Sequence, residues 1–285
     1  MSFALRYLFA IIFALLVNCA ALAYQVTDCR GNVFEFASVP TCATVVPAVT
    51  QSIYAIGAQD LLLANSLYCV QPEDSKTKTK VGTYLNPDYE KILELKPQVF
   101  ILPSLSDDRI ENRLKSLGVK CFVLHAEGLE NICKDIEMLG NLFARQSRAA
   151  EVVSPIKAAM KQDASTGKKA FFMFGNLAAG KGSYIGEIME RCGIENCADK
   201  IGKPWAVPTR EYILTSRPDI IFVELPTPAD KRKIQAFFKS DPAWSATPAV
   251  LNNAIYYVNR EVVVIPSVRV VEIFEIVRSA VKNIK

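Results

Sequence analysis

Leu93-Glu94-Leu95-Lys96-Pro97-Gln98-Val99-Phe100-Ile101 is answered further along the chain by Leu214-Thr215-Ser216-Arg217-Pro218-Asp219-Ile220-Ile221-Phe222, at a constant offset of 121 residues (218 − 97 = 121). Each stretch reads as a helix end, a basic residue, a proline that stops the helix and a short apolar run suited to a buried strand. The same offset pairs Glu90 with Glu211, Ile92 with Ile213 and the aromatic Tyr84 with Trp205. A chance apolar match has no reason to carry a glutamate and an aromatic with it. The repeat therefore predicts two similar lobes, each with an aromatic in a loop and a glutamate at the start of the next helix. In α/β sheets such loops form the ligand-binding edge, so the two aromatics are expected to face a shared cleft.

Working outward, apolar and β-branched runs alternate with helical patterns: Thr44 to Val46, Val49 to Gly57, Leu61 to Cys69, Pro87 to Leu95, Val99 to Leu102, Arg109 to Leu117 and Cys121 to Leu124. That alternation predicts an α/β layer on a mainly parallel sheet. From 129 to 165 the pattern becomes one long helical stretch, with Ala149, Val152, Val153, Ile156, Ala159 and Met160 three and four residues apart. It predicts a single long connecting helix, kinked or broken at Pro155. A second α/β series opens at Ala170-Phe171-Phe172-Met173-Phe174. The expected organisation is an N-terminal lobe over 24–128, the connecting helix over 129–165 and a C-terminal lobe over 166–285.

Residues 1–23 are set apart as a signal peptide. Arg6 precedes an apolar run from Tyr7 to Val17, and Ala21-Leu22-Ala23 gives the small-x-small pattern of a cleavage site before Tyr24. The apolar stretch is shorter than the roughly 20 residues of a spanning helix. Lipidation at Cys19 is the alternative, although Asn18 stands where a lipobox has Gly or Ala. Cleavage leaves a balance of +3 (32 − 29) and seven of the eight cysteines.

The whole chain has 285 residues, 51% hydrophobic and 22% charged, which excludes wholesale disorder, collagen-like sequence and a small disulfide-stapled scaffold. A net charge of +4, with lysines and arginines scattered among acids, excludes a phosphate-tracking surface, so no nucleic acid partner is expected. Exported cysteines are free to pair. Cys29 with Cys42, and Cys192 with Cys197, are the local disulfides the spacing suggests, leaving Cys69, Cys121 and Cys133 unassigned. No Cys-x-x-Cys occurs and His125 is the only histidine, so no bare-metal site is expected. A hydrolase would need that same histidine as its base, and no nucleophile elbow accompanies it. A buried, hydrogen-bonded histidine at a strand end is the expectation. Gly175-Asn176-Leu177-Ala178-Ala179-Gly180-Lys181-Gly182 nearly spells a phosphate loop, but Gly182 stands where magnesium needs Ser or Thr. It is read as a flexible loop at the cleft.

Val81-Gly82-Thr83-Tyr84-Leu85-Asn86-Pro87-Asp88-Tyr89-Glu90, and Cys192-Gly193-Ile194-Glu195-Asn196 through Pro204-Trp205-Ala206-Val207-Pro208-Thr209-Arg210-Glu211, resemble the periplasmic substrate-binding proteins of ABC importers for iron chelates and cobalamin. The resemblance spans nearly all of the chain after residue 23 and is nearest to the cobalamin-binding members. It implies two Rossmann-like lobes joined by one rigid helix, a modest hinge, and a non-enzymatic monomer without a resident cofactor. The implied cargo is a small-molecule metal chelate, a corrinoid first and an iron-siderophore or haem second, delivered from the periplasm to an ABC permease. An exported α/β enzyme is the competing class. By the resemblance, Tyr68, Tyr84 and Trp205 line the ligand site, Arg269 sits at the cleft mouth, and Glu90 and Glu211 dock the permease. Haem-binding relatives carry their iron-ligating tyrosine where this sequence has Thr83, which argues for the corrinoid.

Overall fold

A computed structural model describes residues 24–125 and 128–283; the expected signal peptide and Cys19 lie outside them. After a hairpin of β1 (Tyr24–Thr27) and β2 (Val33–Phe36), the first lobe runs β3 (Cys42–Thr44), α1 (Pro47–Ala55), β4 (Leu62–Asn65), β5 (Thr79–Lys80), α2 (Tyr89–Leu95), β6 (Val99–Pro103), α3 (Asp108–Ser116) and β7 (Cys121–Leu124). Its five strands are all parallel, in the order β5-β4-β3-β6-β7. Helices α4 (Leu129–Leu142) and α5 (Gln146–Ala159) follow.

The second lobe runs β8 (Lys169–Phe174), β9 (Leu177–Ala179), α6 (Tyr184–Arg191), β10 (Glu195–Asn196), β11 (Trp205–Ala206), α7 (Arg210–Ser216), β12 (Ile220–Leu225), α8 (Lys231–Ser240), β13 (Ile255–Asn259) and α9 (Val270–Asn283). Its sheet has the order β11-β9-β8-β12-β13, with β10 beside β8. The β8, β12 and β13 strands are parallel, and β9 returns antiparallel to β8.

The repeat is visible side chain by side chain. In β6, Val99 and Ile101 face one core and Phe100 and Leu102 another; in β12, Ile220 and Phe222 share the first of these cores while Ile221 and Val223 face a third. Strand alternation, with both faces covered, makes every one of these eight side chains buried. The first core is continuous across the molecule. It takes in the inner faces of both sheets and the buried sides of α4, α5 and α9, so one apolar mass holds the lobes together.

The connection between the lobes differs from the single helix expected. It is an antiparallel pair, and the break falls at 143–145 rather than at Pro155. Gly140 is the reason the chain folds back there. A Cβ on it would stand 2.5 Å from the Cβ of Ala149, and Ala144 takes φ 51° to close the turn. Pro155 stays inside α5, on the exposed face of the helix.

The cysteine pairing is also corrected: all seven described cysteines are free thiols. Cys29 hydrogen-bonds to Val123 on the outer edge of β7, while Cys42 lies in β3, with β6 between β3 and β7. Three strand spacings of about 4.8 Å put them about 14 Å apart, twice what a disulfide spans. Cys192 faces the shared core and Cys197 the opposite side of the C-terminal sheet. Burial pushes the thiols of Cys121, Cys192 and Cys197 up to about 12, so they pack as small apolar groups.

Candidate functional site: a cleft between the lobes

The carboxyl ends of the parallel strands converge on a cavity of about 350 Å³. The first lobe contributes Pro103 at the end of β6, Leu124 and His125 at the end of β7, and the start of α1 from Val46 to Val49; α4 contributes Gly128, Ile132, Asp135 and Leu139. The second lobe answers with Gly182, Ser183 and Tyr184 at the start of α6, Trp205 on β11, and Val264 to Pro266. The walls are mainly apolar. No lysine or arginine is among the lining residues.

Trp205 is placed in this cavity by its strand. It pairs with Ala179 on β9, and its ring meets Phe174 of β8 edge-on, with centroids 5.0 Å apart. It remains 39% exposed. Gly180 makes this close approach possible, because a Cβ there would lie 2.5 Å from the carbonyl oxygen of Lys203. The near-phosphate loop is therefore a packed hairpin that sends only Gly182 and Ser183 to the cavity wall. Ser183 is spent on its own backbone: it caps α6 by accepting from the Gly186 N–H at 3.0 Å and donates to the Gly180 carbonyl at 2.7 Å. Tyr184, also in the wall, donates its hydroxyl to the Val263 carbonyl, tying α6 to the 264–266 segment.

The other residues singled out by sequence do not line this cavity. Tyr84 sits at the tip of a turn closed by a Gly82–Pro87 bridge and a hydrogen bond from Thr83 N–H to the Asn86 carbonyl at 3.0 Å; its ring packs half-buried on its own lobe. Tyr68 is 63% exposed and lies close by, since Leu67 N–H donates to Gly82. Arg269 holds Glu272 through Nε and Nη2 of its guanidinium, at 2.6 and 2.9 Å, and lies just beyond the 264–266 wall. Exposed Leu85 and Leu105 on one lobe, and Leu177 and Val207 on the other, extend apolar surface along the same strand ends. Between the lobes, buried Ser267 donates to Gln51 at 2.5 Å.

Glu90 and Glu211 occupy identical places. Each is exposed in the first turn of a seven-residue helix, α2 capped by Asp88 and α7 by Thr209, where the helix dipole favours a carboxylate.

Sequence reasoning set His125 aside as a buried, hydrogen-bonded residue and did not single out its partner, Asp135. The histidine does stand at a strand end with a hydrogen bond, as expected, but it is only part-buried and it lines the cavity. One oxygen of Asp135 receives both its backbone N–H, at 2.9 Å, and its Nδ1, at 2.7 Å. Burial raises the Asp135 carboxyl above its usual range, and the contact with His125 offsets part of that rise. The strand-end position was the available signal, whereas Tyr84 and Trp205 are marked by the repeat.

Two α/β lobes on a common core, with a mainly apolar cavity between their strand ends, define a solute-capturing protein. The chain belongs to the periplasmic binding protein family, whose model matches residues 42–262. That family consists of solute-binding proteins and not of enzymes. The chain is 26% identical over 245 residues to the "High-affinity heme uptake system protein IsdE" of Staphylococcus aureus, covering 81% of this chain and 84% of that protein. Its fold matches the vitamin B12 binding protein BtuF of Vibrio cholerae, with a TM-score of 0.70, 22% identity and coverage of 86% and 97% of the two chains. It also matches the haem-binding protein HutB of Vibrio cholerae, with a TM-score of 0.74, 19% identity and coverage of 85% and 98%. No helix among the described residues is long and apolar enough to cross a membrane.

Proposed function

We propose that this protein captures a metal-chelate macrocycle, a corrinoid such as cobalamin, between its lobes in the periplasm and delivers it as a monomer to an ABC permease. The observation that carries this reading is the cavity itself. Its walls are mainly apolar, Trp205 is in one of them, and no lysine or arginine lines it. An aromatic face binds a flat macrocycle with little loss of rotamer freedom. A haem brings two propionates that call for cations, whereas most corrin side chains are neutral amides, so a cavity wall without Lys or Arg favours the corrinoid. Tyr68 and Tyr84 on the first lobe's rim, and Arg269 beyond the opposite wall, are assigned to the parts of the ligand that project from the cavity. Haem is the second reading, and the similarity to the staphylococcal haem-uptake protein favours it.

Titrating the apo protein with cyanocobalamin and with ferric haemin, by absorbance and tryptophan fluorescence, tests the choice. The chain has two tryptophans, and Trp244 is buried in the outer core of the second lobe. Cobalamin is expected to quench the Trp205 part of the emission, and Trp205→Ala to remove that quenching. Binding of haemin alone would replace the ligand and leave the class standing.

Glu90 and Glu211 are assigned to permease docking, where two separated charges set orientation and encounter rate. The Glu90→Ala, Glu211→Ala double variant is expected to bind ligand as the wild type does and to lose stimulation of its transporter. Unchanged transport would remove the assignment.

A further inference from the structure

Resting on the reading of the cleft as a site for a tetrapyrrole chelate, we propose that Nε2 of His125 is an axial ligand to the metal of the bound chelate. His125 is the only histidine of the chain and stands in the cavity wall at the end of β7. Its backbone N–H and its Nδ1 are both held by the same oxygen of Asp135, at 2.9 and 2.7 Å, so the ring is clamped by a residue of the neighbouring helix that also lines the cavity. An ionised Asp135 only accepts, which puts the proton on Nδ1 and leaves the lone pair on Nε2. Nε2 has no partner among the described residues. A carboxylate that orients an imidazole and fixes its tautomer, on a histidine that lines a mainly apolar cavity and whose second nitrogen makes no hydrogen bond to a described residue, is the arrangement by which proteins prepare a histidine for a metal.

The pair would not build a metal site by itself. Among the described residues no three His, Cys, Asp or Glu side chains come together as a cage, so the metal must arrive with its own macrocycle and lack only an axial donor. Aquocobalamin and ferric haemin both offer such a position. In the step proposed, the bond from the metal to its axial water breaks, Nε2 donates its lone pair to form the new bond, and the water leaves to solvent. The Nδ1 proton stays on the imidazole beside Asp135, and the metal keeps its oxidation state. Cyanocobalamin, whose upper position is held by cyanide, cannot follow this course. The inference thus divides corrinoids by the lability of their upper ligand, a distinction that the apolar walls cannot make.

The competing role for His125 is to close the connection between β7 and α4, and spectra distinguish the two. The wild-type protein, His125→Ala, His125→Gln and Asp135→Asn are titrated with aquocobalamin, ferric haemin and cyanocobalamin in the visible range. In the wild type, aquocobalamin or haemin is expected to take the band positions of its imidazole adduct, and cyanocobalamin to bind without a shift. His125→Ala and His125→Gln lose the shift and at least about tenfold in affinity for the shifting ligand, and free imidazole added to the alanine variant restores the bands. His125→Gln keeps a neutral polar side chain of similar reach without an imidazole, so loss of the shift in a variant with wild-type circular dichroism and unfolding separates ligation from folding. Asp135→Asn is expected to weaken the shifted complex by about 10- to 100-fold, the usual cost of removing the partner that orients a ligating histidine. The same shift in both His125 variants, or cyanocobalamin binding with no shift by aquocobalamin or haemin in the wild type, overturns the ligand assignment and leaves the cleft's function intact. Failure of all three probes to bind the wild type overturns both.

Discussion

The units spanning 88–103 and 209–225 are built alike, and the loops ahead of them are not. In each unit a short polar side chain caps a seven-residue helix, one isoleucine is the helix's buried residue, the chain turns left-handed at a basic residue before proline, and a strand alternates between two cores. Ahead of the first unit, the chain makes a tight turn at Gly82, where a Cβ would lie 2.3 Å from the Asn86 carbonyl oxygen; ahead of the second, it runs as a strand along β9. Tyr84 therefore lies on its own lobe while Trp205 reaches the cavity. The duplicated part fixes where the strand ends and the two first-turn glutamates stand. The two faces of the cavity are chemically unequal: an indole from β11 on one side and, at the end of β7, a carboxylate-held imidazole on the other.

The sharpest way to break the likeness is through the buried isoleucines. Ile92 and Ile213 are each enclosed in the outer core of their lobe, at 0% and 4% exposure. Ile92→Ala and Ile213→Ala are each expected to lower unfolding stability by about 3 kcal/mol, by lost transfer energy and the cavity left behind. Chemical denaturation measures this, and a loss below about 1 kcal/mol in one lobe alone would show that the units are similar in outline only. The unlikeness of the loops is tested next, on binding. Trp205→Ala is expected to weaken the ligand at least about tenfold, as for a buried aromatic anchor, and Tyr84→Ala about threefold. A larger loss at Tyr84 would mean that the ligand lies on the first lobe's rim rather than in the cavity.

What could be read in the sequence follows the same division. Core periodicity and the proline stop repeat because packing and helix termination impose them, the exposed glutamates repeat at the same first-turn position, and together they predict two lobes. The turn between α4 and α5 was missed because its cause is one contact, Gly140 against Ala149, and not a pattern; Pro155 drew the break to itself, yet the helix runs on through it with the proline on the exposed face. The cysteine spacing carried no information on which side of a sheet each thiol lies, and that side decides pairing. His125 stood in plain view at a strand end, but its meaning depends on Asp135, ten residues on and brought back by the first turns of α4.

A smaller effect checks the likeness at its finest grain. Lys96 and Arg217 hold φ of 50° and 47° just after their helices, a region that costs an L-residue about 1–2 kcal/mol and glycine almost nothing. Glycine also adds freedom to the unfolded chain, which takes back part of the gain. Lys96→Gly and Arg217→Gly are each expected to stabilise by up to about 1 kcal/mol, and equally. A gain in one lobe with a loss in the other would show that one basic side chain has work beyond ending its helix.

The smallest effect belongs to the exits of β6 and β12, where the lobes again part. After β12, Thr227 and Asp230 form a capping box; after β6, Asp107 caps α3 and is gripped by Arg109. The hydrogen bond from the Arg109 side chain, and then that from its backbone N–H, holds the Asp107 carboxyl down to about 2. A carboxyl lowered in the folded state contributes stability that is fully present above its unfolded value near 4 and is lost as pH falls through about 2. Asp107→Asn removes that ionisation, so the stability of the variant should fall less steeply between about pH 4 and pH 2 than that of the wild type, with the curves running parallel above pH 5. Arg109 is largely exposed and Asp107 partly so, so the difference should shrink further when the ionic strength is raised. Parallel curves through the acid range at low salt would mean that Asp107 acts on α3 only as a neutral cap, and that the two exits, unlike in sequence, are alike in their electrostatics.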